Sequence, residues 1–251
     1  MKQINFESKF KTFKSIYLCI SGGVDSALLL YLLCKYISEN NLDIKITPIT
    51  AVEPQPHYLR NDWNANKVTN IIRNIFPKVK INQGIVNFLE GYDRENHKRK
   101  EYSKVKKMRI MHTNNIKKDD FDLIINGVSS FPPLEELKKH PKLYDKSKGI
   151  GPEDRTYTGK KNDKIILGTK INKFGKQVYW WNPFLNFTKK DFANLYKKYD
   201  LMDNLFPYTA SCTGKAEFTK NFTEPCKGCF WCLEKYWAFN SFDYPNQRLL
   251  K

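Results

Sequence analysis

Hydrophobic residues in the first half of the chain fall into short runs and longer, helically spaced runs that follow one another in turn. Short apolar runs bounded by glycine, proline or polar residues predict strands, and they cover residues 16–20, 44–52, 79–81 and 121–126. Longer segments with apolar residues three or four positions apart predict helices, at residues 24–37, 62–76 and 95–117. Strands separated by helices in this way predict an α/β fold, with a doubly wound, mostly parallel sheet.

The pattern changes after residue 130. Residues 131–163 are rich in proline, glycine and lysine, which predicts a loop-rich basic insertion with little core of its own. Residues 165–167 and 177–181 are typical of a hairpin whose turn covers residues 172–175.

A helix is expected to follow the hairpin and to run to about residue 199. Thr188 is a suitable N-cap residue, and Asp191 at the third helical position approximates a capping box. The chain is therefore expected to contain a core over residues 1–130, the insertion and hairpin over 131–180, and a C-terminal helical, zinc-binding segment over 181–251 that packs on the core.

Composition and charge narrow the class of protein. Hydrophobic residues make up 41% of the 251 residues, which is enough for a sizeable core. No apolar run is long enough to span a membrane, and the first residues lack the apolar core of a secretory signal, so a cytoplasmic protein without a membrane partner is expected. The formal net charge of +17 favours a nucleic acid or anionic substrates as partners, although lysines scattered along a chain are also typical of a solvated surface.

The stretch SGGVDS, residues 21–26, lies between the first predicted strand and the first predicted helix. Gly22 and Gly23 allow the backbone to approach an anion, and the hydroxyl groups of Ser21 and Ser26 can donate hydrogen bonds to it. The start of the helix adds unpaired N–H groups and the positive end of the helix dipole. Asp25 beside a phosphate implies a bridging cation, so Mg²⁺ is expected.

Four of the six cysteines stand in a pattern typical of metal ligands. Cys226, Cys229 and Cys232 form CxxCxxC, and Cys212 precedes them with thirteen residues in between. Four thiolates suit a closed, tetrahedral zinc site, and this spacing can bring three of them around one ion. An iron–sulfur cluster and a catalytic disulfide are the competing interpretations.

The SGGVDS motif resembles the SGGxDS signature of the PP-loop ATP pyrophosphatases. The resemblance implies that the protein binds ATP, splits it between the α and β phosphates, and transfers AMP to a carboxylate or carbonyl oxygen. It implies catalytic roles for Asp25 and Ser26. The nucleotide would be bound by residues of the loop and of a neighbouring strand end, namely Ser21, Gly22, Gly23, Val24, Asp25, Ser26 and Gly127.

The combination of this loop with the C-terminal cysteines resembles the 7-cyano-7-deazaguanine synthase family. Further matching residues are Asn182-Pro183-Phe184 and Thr209-Ala210-Ser211-Cys212. The resemblance implies an ATP-dependent ligase that converts 7-carboxy-7-deazaguanine and ammonia to the nitrile, with Mg²⁺ and a structural Zn²⁺ as cofactors.

Three alternatives stay open beside this hypothesis. The first is a PP-loop enzyme that modifies a macromolecule, by tRNA thiolation or by carboxylate activation for conjugation. The second is a variant of the synthase that stops at the amide, and the third is a noncatalytic nucleotide-binding module that binds nucleic acid. A homodimer is also compatible with the sequence.

Overall fold

The computed structural model of the chain describes residues 2–52, 61–88, 114, 118, 120–150, 163–214 and 216–244. Apart from residue 114, the helix predicted over residues 95–117 lies outside these residues. None of the described helices is long and apolar enough to cross a membrane.

A single seven-stranded sheet organises the described part of the chain. Its strands are β1 (Ser15–Cys19), β2 (Lys45–Val52), β3 (Lys80–Ile81), β4 (Ile85–Phe88), β5 (Leu123–Ile125), β6 (Ile166–Ile171) and β7 (Gln177–Trp181). The strand order is β3-β2-β1-β5-β7-β6, and β4 pairs with β2 further along the edge that β3 begins. All pairs are parallel except β6 with β7. The predicted α/β class with a mostly parallel sheet is confirmed.

Seven α-helices connect or follow the strands in the described residues. They are α1 (Val24–Glu39), α2 (Asn61–Ile75), α3 (Leu134–Lys138), α4 (Pro141–Ser147), α5 (Lys189–Lys198), α6 (Leu201–Asn204) and α7 (Phe230–Phe239). Residues of α1, α2 and α5 share one hydrophobic core with residues of the sheet, and Trp181, Phe184 and Phe206 extend it. A second, smaller cluster of buried hydrophobic residues is separate from this core and includes Tyr17, Ile124 and Val178. Burial of these apolar surfaces is the main force that holds the helices on the sheet.

Pro48 lies inside β2, although a proline has no N–H group for a strand partner. The strand tolerates it because its outer neighbour is interrupted at this point. β3 pairs with β2 as far as Ile46, and β4 pairs with it again from Ile49. Ile46 accepts a hydrogen bond from Asn82 on that side, so Pro48, two residues further on, also faces the gap between β3 and β4.

The hairpin and the helix cap agree with their predictions. Asn172 closes the turn between β6 and β7, where its side-chain oxygen accepts hydrogen bonds from the N–H groups of Phe174 and Lys176. At the start of α5, the Thr188 side chain accepts from the Asp191 N–H group, and the Asp191 carboxylate accepts from the Thr188 N–H group at 2.8 Å. The capping box therefore fixes the first turn of α5.

Residues 131–150 contain more regular structure than their prolines predict. Pro133 is the N-cap of α3, and Pro141 is the first residue of α4. The N–H group of a first helical residue forms no hydrogen bond within the helix, so a proline there costs nothing. Phe131, Leu137 and Leu143 are buried in one cluster with Phe230 of α7. This segment therefore packs against the cysteine-bearing helix, while the division of the chain at residues 130 and 180 stays a prediction.

Candidate active site and metal centre

The SGGVDS motif forms the turn between β1 and α1 at the carboxyl end of the central parallel strands. Gly23 is the N-cap residue of α1, so the first N–H groups of the helix open at this turn. The Ser26 hydroxyl donates to the Gly23 carbonyl oxygen at 3.2 Å and accepts from the Ser21 N–H group at 3.2 Å. These two hydrogen bonds hold the loop closed across the first helical turn.

Gly22 lies where a side chain would not fit. Its φ of +78° is in the left-handed region, and a Cβ atom there would lie 2.4 Å from the backbone carbon of Asn64 in α2. The Gly22 carbonyl oxygen accepts a hydrogen bond of 3.0 Å from the Ala210 N–H group. The glycine therefore allows α2 and the segment around Ala210 to approach the loop from two sides.

Gly23 and Gly127 are also closely packed against their neighbours at the first turn of α1. A Cβ atom on Gly23 would lie 3.3 Å from the Ser211 side-chain oxygen, and one on Gly127 would lie 3.6 Å from the Ser26 nitrogen. Gly127 follows β5, which neighbours β1 in the sheet. The end of β5 therefore lies beside the SGGVDS loop, as the sequence predicted. The nucleotide-binding role of Gly127 stays a prediction.

Asp25 is held by residues that are distant in sequence. Its carboxylate forms an ion pair with the ammonium group of Lys189, the first residue of α5, and accepts a longer hydrogen bond from Ser129 at 3.4 Å. Lys189 is 3% exposed, and its ammonium nitrogen lies 3.9 Å from a carboxylate oxygen of Glu234, which is fully buried. Sequence reasoning missed Lys189 and Glu234, and the only local signal was that Lys189 directly follows the Thr188 cap.

The ion pair bears on the expected magnesium site. One oxygen of Asp25 faces Lys189, but a carboxylate offers about four acceptor positions. The Asp25 side chain is 18% exposed, so part of it remains accessible from solvent. These features are compatible with a cation at Asp25, and the magnesium role of this residue stays a prediction.

Tyr196 also stabilises the turn between β1 and α1. Its hydroxyl group donates to the Val24 carbonyl oxygen at 3.0 Å, and its ring is fully buried. Burial raises the pKa of Tyr196 well above its usual value, and the negative charge of Asp25 raises it further. The phenol therefore stays neutral and keeps its hydrogen bond to the start of α1.

The four predicted metal ligands come together in one place. The Sγ atoms of Cys212, Cys226, Cys229 and Cys232 all lie within 4.8 Å of one another, and those of Cys226 and Cys232 are 4.0 Å apart. A tetrahedral zinc ion with bonds of 2.3 Å would separate its sulfur ligands by about 3.8 Å. The four sulfur atoms are thus close enough together to hold a metal, and the choice of zinc over an iron–sulfur cluster stays a prediction.

Backbone N–H groups point at the sulfur atoms of the cluster. Cys212 Sγ accepts from Gly214 at 3.3 Å and from Cys226 at 3.2 Å, and the Sγ atoms of Cys226 and Cys229 accept from the residues three positions later. Hydrogen bonds from the side chains of Cys212 and Cys232 lower the pKa of Cys229 and raise those of Cys212 and Cys232. The surroundings thus favour the thiolate, the form that binds a metal, at Cys229, and the neutral thiol at Cys212 and Cys232.

The metal centre is connected to the loop through the segment Thr209-Ala210-Ser211-Cys212, here called the strap. Ala210 bonds to Gly22, as described above, and the N–H groups of Ser211 and Cys212 both donate to Asp243 at 2.8 Å. Asp243 is paired in turn with Lys235 of α7 at 2.5 Å, and the Lys235 side chain is fully buried. The cysteine cluster and the glycine turn therefore lie on the two ends of one short, well-anchored segment.

The remaining two cysteines do not join the cluster. Cys19 ends β1 and Cys34 lies inside α1. Burial raises the pKa of Cys19 to about 12 and that of Cys34 further still, so both remain neutral thiols. They behave as small apolar residues of the core.

Together, the fold and this site define an α/β protein with a glycine turn at the end of its central strand and, beside it, a cluster of four cysteines that could hold a metal. Neither a protein-family model nor a curated protein sequence matches the chain. Among solved structures, it is similar to the U34-tRNA thiolase NcsA from Methanococcus maripaludis, which was solved with its [4Fe-4S] cluster. The identity is 13% and the TM-score 0.40, over 75% of this chain and 57% of the thiolase. The chain thus spans less than two thirds of the thiolase, and a likeness of this size does not carry the thiolase's activity over.

Proposed function

We propose that the protein is an ATP-dependent enzyme of the PP-loop ATP pyrophosphatase class. The observation that carries the proposal is the SGGVDS turn itself. It opens onto the N-terminus of α1 at the carboxyl end of β1, where ligands bind in open parallel sheets. Its left-handed glycine brings two further segments against it.

The loop residues have distinct tasks in this proposal. Backbone N–H groups of the turn and the first turn of α1 bind the pyrophosphate part of ATP, where the positive end of the helix dipole stabilises negative charge. Ser21 adds a hydroxyl donor at the same place, whereas the Ser26 hydroxyl donates to the Gly23 carbonyl oxygen and holds the loop closed. The hydrogen bonds between Ser26 and the loop backbone keep these donors in position before the nucleotide arrives.

Asp25 and Lys189 supply the charge of the site. Asp25 would hold Mg²⁺, which neutralises phosphate charge when it is bound. The ion pair fixes the Asp25 carboxylate, and it keeps a positive charge of Lys189 within a few ångströms of the loop. Cleavage between the α and β phosphates releases pyrophosphate, and the adenylyl group passes to an oxygen of the second substrate.

For that second substrate we propose 7-carboxy-7-deazaguanine, with ammonia as the nitrogen source. Its carboxylate takes AMP, ammonia displaces AMP to give the amide, and a second ATP activates the amide oxygen so that loss of AMP and a proton leaves the nitrile. This choice is supported by the sequence order of the loop, the Asn182-Pro183-Phe184 stretch, the strap and CxxCxxC. Zn²⁺ bound by the four cysteines would then fix the strap beside the loop without touching the reacting atoms.

The test is a mass-spectrometric assay of the purified, metal-loaded protein with Mg-ATP, ammonium and 7-carboxy-7-deazaguanine. We expect AMP and pyrophosphate together with the amide and the nitrile. Asp25→Asn is expected to abolish AMP formation. Asp43→Asn is the matched control, because Asp43 is an exposed carboxylate that pairs with Lys80 at the other end of β2.

The possible outcomes test the product, the substrate and the class of enzyme separately. AMP that forms with the amide alone would contradict the nitrile and identify an enzyme that stops after one activation. AMP that forms only when RNA replaces the deazaguanine would contradict the substrate but retain the class. Absence of AMP under all these conditions, with folded and metal-loaded protein, would contradict the class as well.

A further inference from the structure

A second concave site lies outside the proposed active site. It is a cleft of about 420 Å³ between α1, α2 and α6, and the end of α5 closes it. Its lining consists of three tyrosines, the polar or charged residues Asn74, Asp200 and Asn204, and the aliphatic residues Ile71, Ile75 and Leu201. The tyrosines are Tyr31, Tyr199 and Tyr208.

Lysine ammonium groups stand over two of the three tyrosine rings. Lys35 and Lys198 lie 5.7 Å and 5.2 Å from the centre of the Tyr199 ring, and Lys67 lies 4.6 Å from the centre of the Tyr208 ring. Positive charge beside accessible aromatic faces is the combination by which proteins bind single-stranded nucleic acids. The rings stack with bases, and the lysines contact the phosphates that flank each base.

The rest of the lining suits the polar edges of bases. Asn74 and Asn204 are exposed amides, and Asp200 is an exposed carboxylate at the end of α5. Amides can donate to and accept from a base edge, while a carboxylate accepts from amino and imino groups. The volume of the cleft leaves room for more than one base, which a site for one small anion would not need.

The cleft is adjacent to the proposed active site at one end. Tyr208 directly precedes the strap, whose Ala210 bonds to Gly22 of the loop. On the other side, Lys67 follows Asn64 by one turn of α2, and Asn64 is the residue that Gly22 approaches. A chain molecule bound between Lys67 and Tyr208 would therefore extend toward the glycine turn.

We propose that this cleft binds an unpaired segment of a polynucleotide. The occupant follows from charge complementarity: Lys67 and Lys198 each lie over a ring, Lys35, which also pairs with Glu39, lies beside them, and the net charge of the protein is +17. Spaced ammonium groups match the regularly repeated phosphates of a nucleic acid strand better than they match a single free nucleotide. The inference goes beyond the proposed function, since a synthase acting on a small molecule needs no such surface.

The experiment measures binding of a fluorescein-labelled twelve-nucleotide RNA of mixed sequence by anisotropy, at several salt concentrations. Lys67→Gln is expected to reduce the slope of log affinity against log salt by about 0.7, the value for one phosphate contact on a single strand. Tyr208→Ala is expected to weaken binding about tenfold or more without changing the slope, because stacking is not ionic. Tyr208→Phe keeps a ring and should retain most of the affinity.

A matched control removes the same chemistry from another part of the surface. Phe174 at the tip of the β6–β7 hairpin is 57% exposed, and Lys173 lies 5.0 Å from its ring centre. We expect the double variant Lys173→Gln/Phe174→Ala to bind the RNA nearly as well as the unchanged protein. Equal losses from this variant and from Lys67→Gln/Tyr208→Ala would overturn the proposal, because binding would then reflect diffuse charge.

Two other results would also overturn it. One is that AMP at equal concentration displaces the RNA, which would identify a site for free nucleotides. The other is that a duplex of the same sequence binds as tightly as the single strand. Thermal unfolding of each variant checks that it is folded. Should Tyr208→Ala unfold the protein, Lys198→Gln, at the exposed last residue of α5, provides a second measurement of the salt slope.

Discussion

Replacing Gly22 by alanine tests the central geometric feature of the proposed nucleotide site. The chain offers a matched control, because Gly175 in the β6–β7 turn has almost the same backbone conformation, with φ of +76° against +78°. A Cβ atom at Gly175 would meet nothing within 4 Å, whereas one at Gly22 would lie 2.4 Å from the backbone carbon of Asn64. The two substitutions therefore share the conformational penalty and differ only in the steric overlap.

The magnitudes follow from these two contributions. An alanine in the left-handed region costs about 1 to 2 kcal/mol, and this is the whole expected effect of Gly175→Ala. Gly22→Ala adds overlap with the backbone of α2, which cannot rotate away, and overpacking of this kind costs about 1 to 3 kcal/mol more. At about 3 °C per kcal/mol for a chain of this size, the melting temperature should fall by roughly 4 °C for Gly175→Ala and by roughly 10 °C for Gly22→Ala.

Urea denaturation gives the free energies of unfolding, and thermal unfolding gives the melting temperatures. ATP binding, measured by calorimetry, should be lost or strongly weakened by Gly22→Ala and unchanged by Gly175→Ala. Equal destabilisation by both substitutions would refute the reasoning, because it would mean that α2 does not press against the loop in solution.

Three further predictions concern the residues around the loop and the metal centre. Lys189→Met should lower the free energy of unfolding by about 2 to 4 kcal/mol, because it leaves Asp25 without its buried cation, and Asp25→Asn in the same chain should restore part of the loss in urea denaturation. Cys229→Ser should lower the metal content found by elemental analysis, and the melting temperature should fall with it because metal binding stabilises the folded state. Asp191→Asn should cost about 1 kcal/mol at pH 7 by weakening the capping box with Thr188. Burial acts to raise the pKa of Asp191, but hydrogen bonds from Thr188 and Lys2 outweigh it and lower that pKa, so the difference should vanish as the pH falls from about 4 through this lowered value.

Each of these predictions has a control at a residue of the same type. Lys190→Met removes an exposed lysine next to Lys189 and should cost little. Cys19→Ser should leave the metal content unchanged, and Asp145→Asn, at an exposed carboxylate, should cost little at pH 7. Metal content that Cys229→Ser does not alter would contradict the centre, and a Lys189→Met protein as stable as its Lys190→Met counterpart would contradict a buried ion pair.

The glycine turn and the cysteine cluster could be predicted from sequence because their signals are local. Six consecutive residues specify the turn between β1 and α1, and the spacing of three cysteines brings them around one point. The capping box at Thr188 is local in the same sense. In each case the residues that interact are close along the chain, so their types and spacing carry the information.

Lys189 could not be predicted in this way, because its partner Asp25 is 164 residues away. A lysine near a helix start is normally exposed, and this one is buried because α5 packs against both α1 and α7. The hydrogen bond between the Ala210 N–H group and the Gly22 carbonyl oxygen is even harder to predict, because every residue type has the same backbone carbonyl group and almost every type has the same N–H group. Residues 131–150 were misjudged for another reason: Pro133 and Pro141 begin helices there, and prolines at such positions favour a helix.

These long-range contacts determine what an ion at the cysteines can do. Cys212 lies two residues beyond Ala210, which bonds to the loop, and Cys232 lies two residues before Glu234, which approaches Lys189 and through it Asp25. An ion that fixes the four sulfur atoms therefore fixes the glycine turn from one side and its carboxylate from the other. For this reason a metal with no direct part in the chemistry would still control how well the loop binds a nucleotide, and removing it should weaken binding before the sheet itself unfolds.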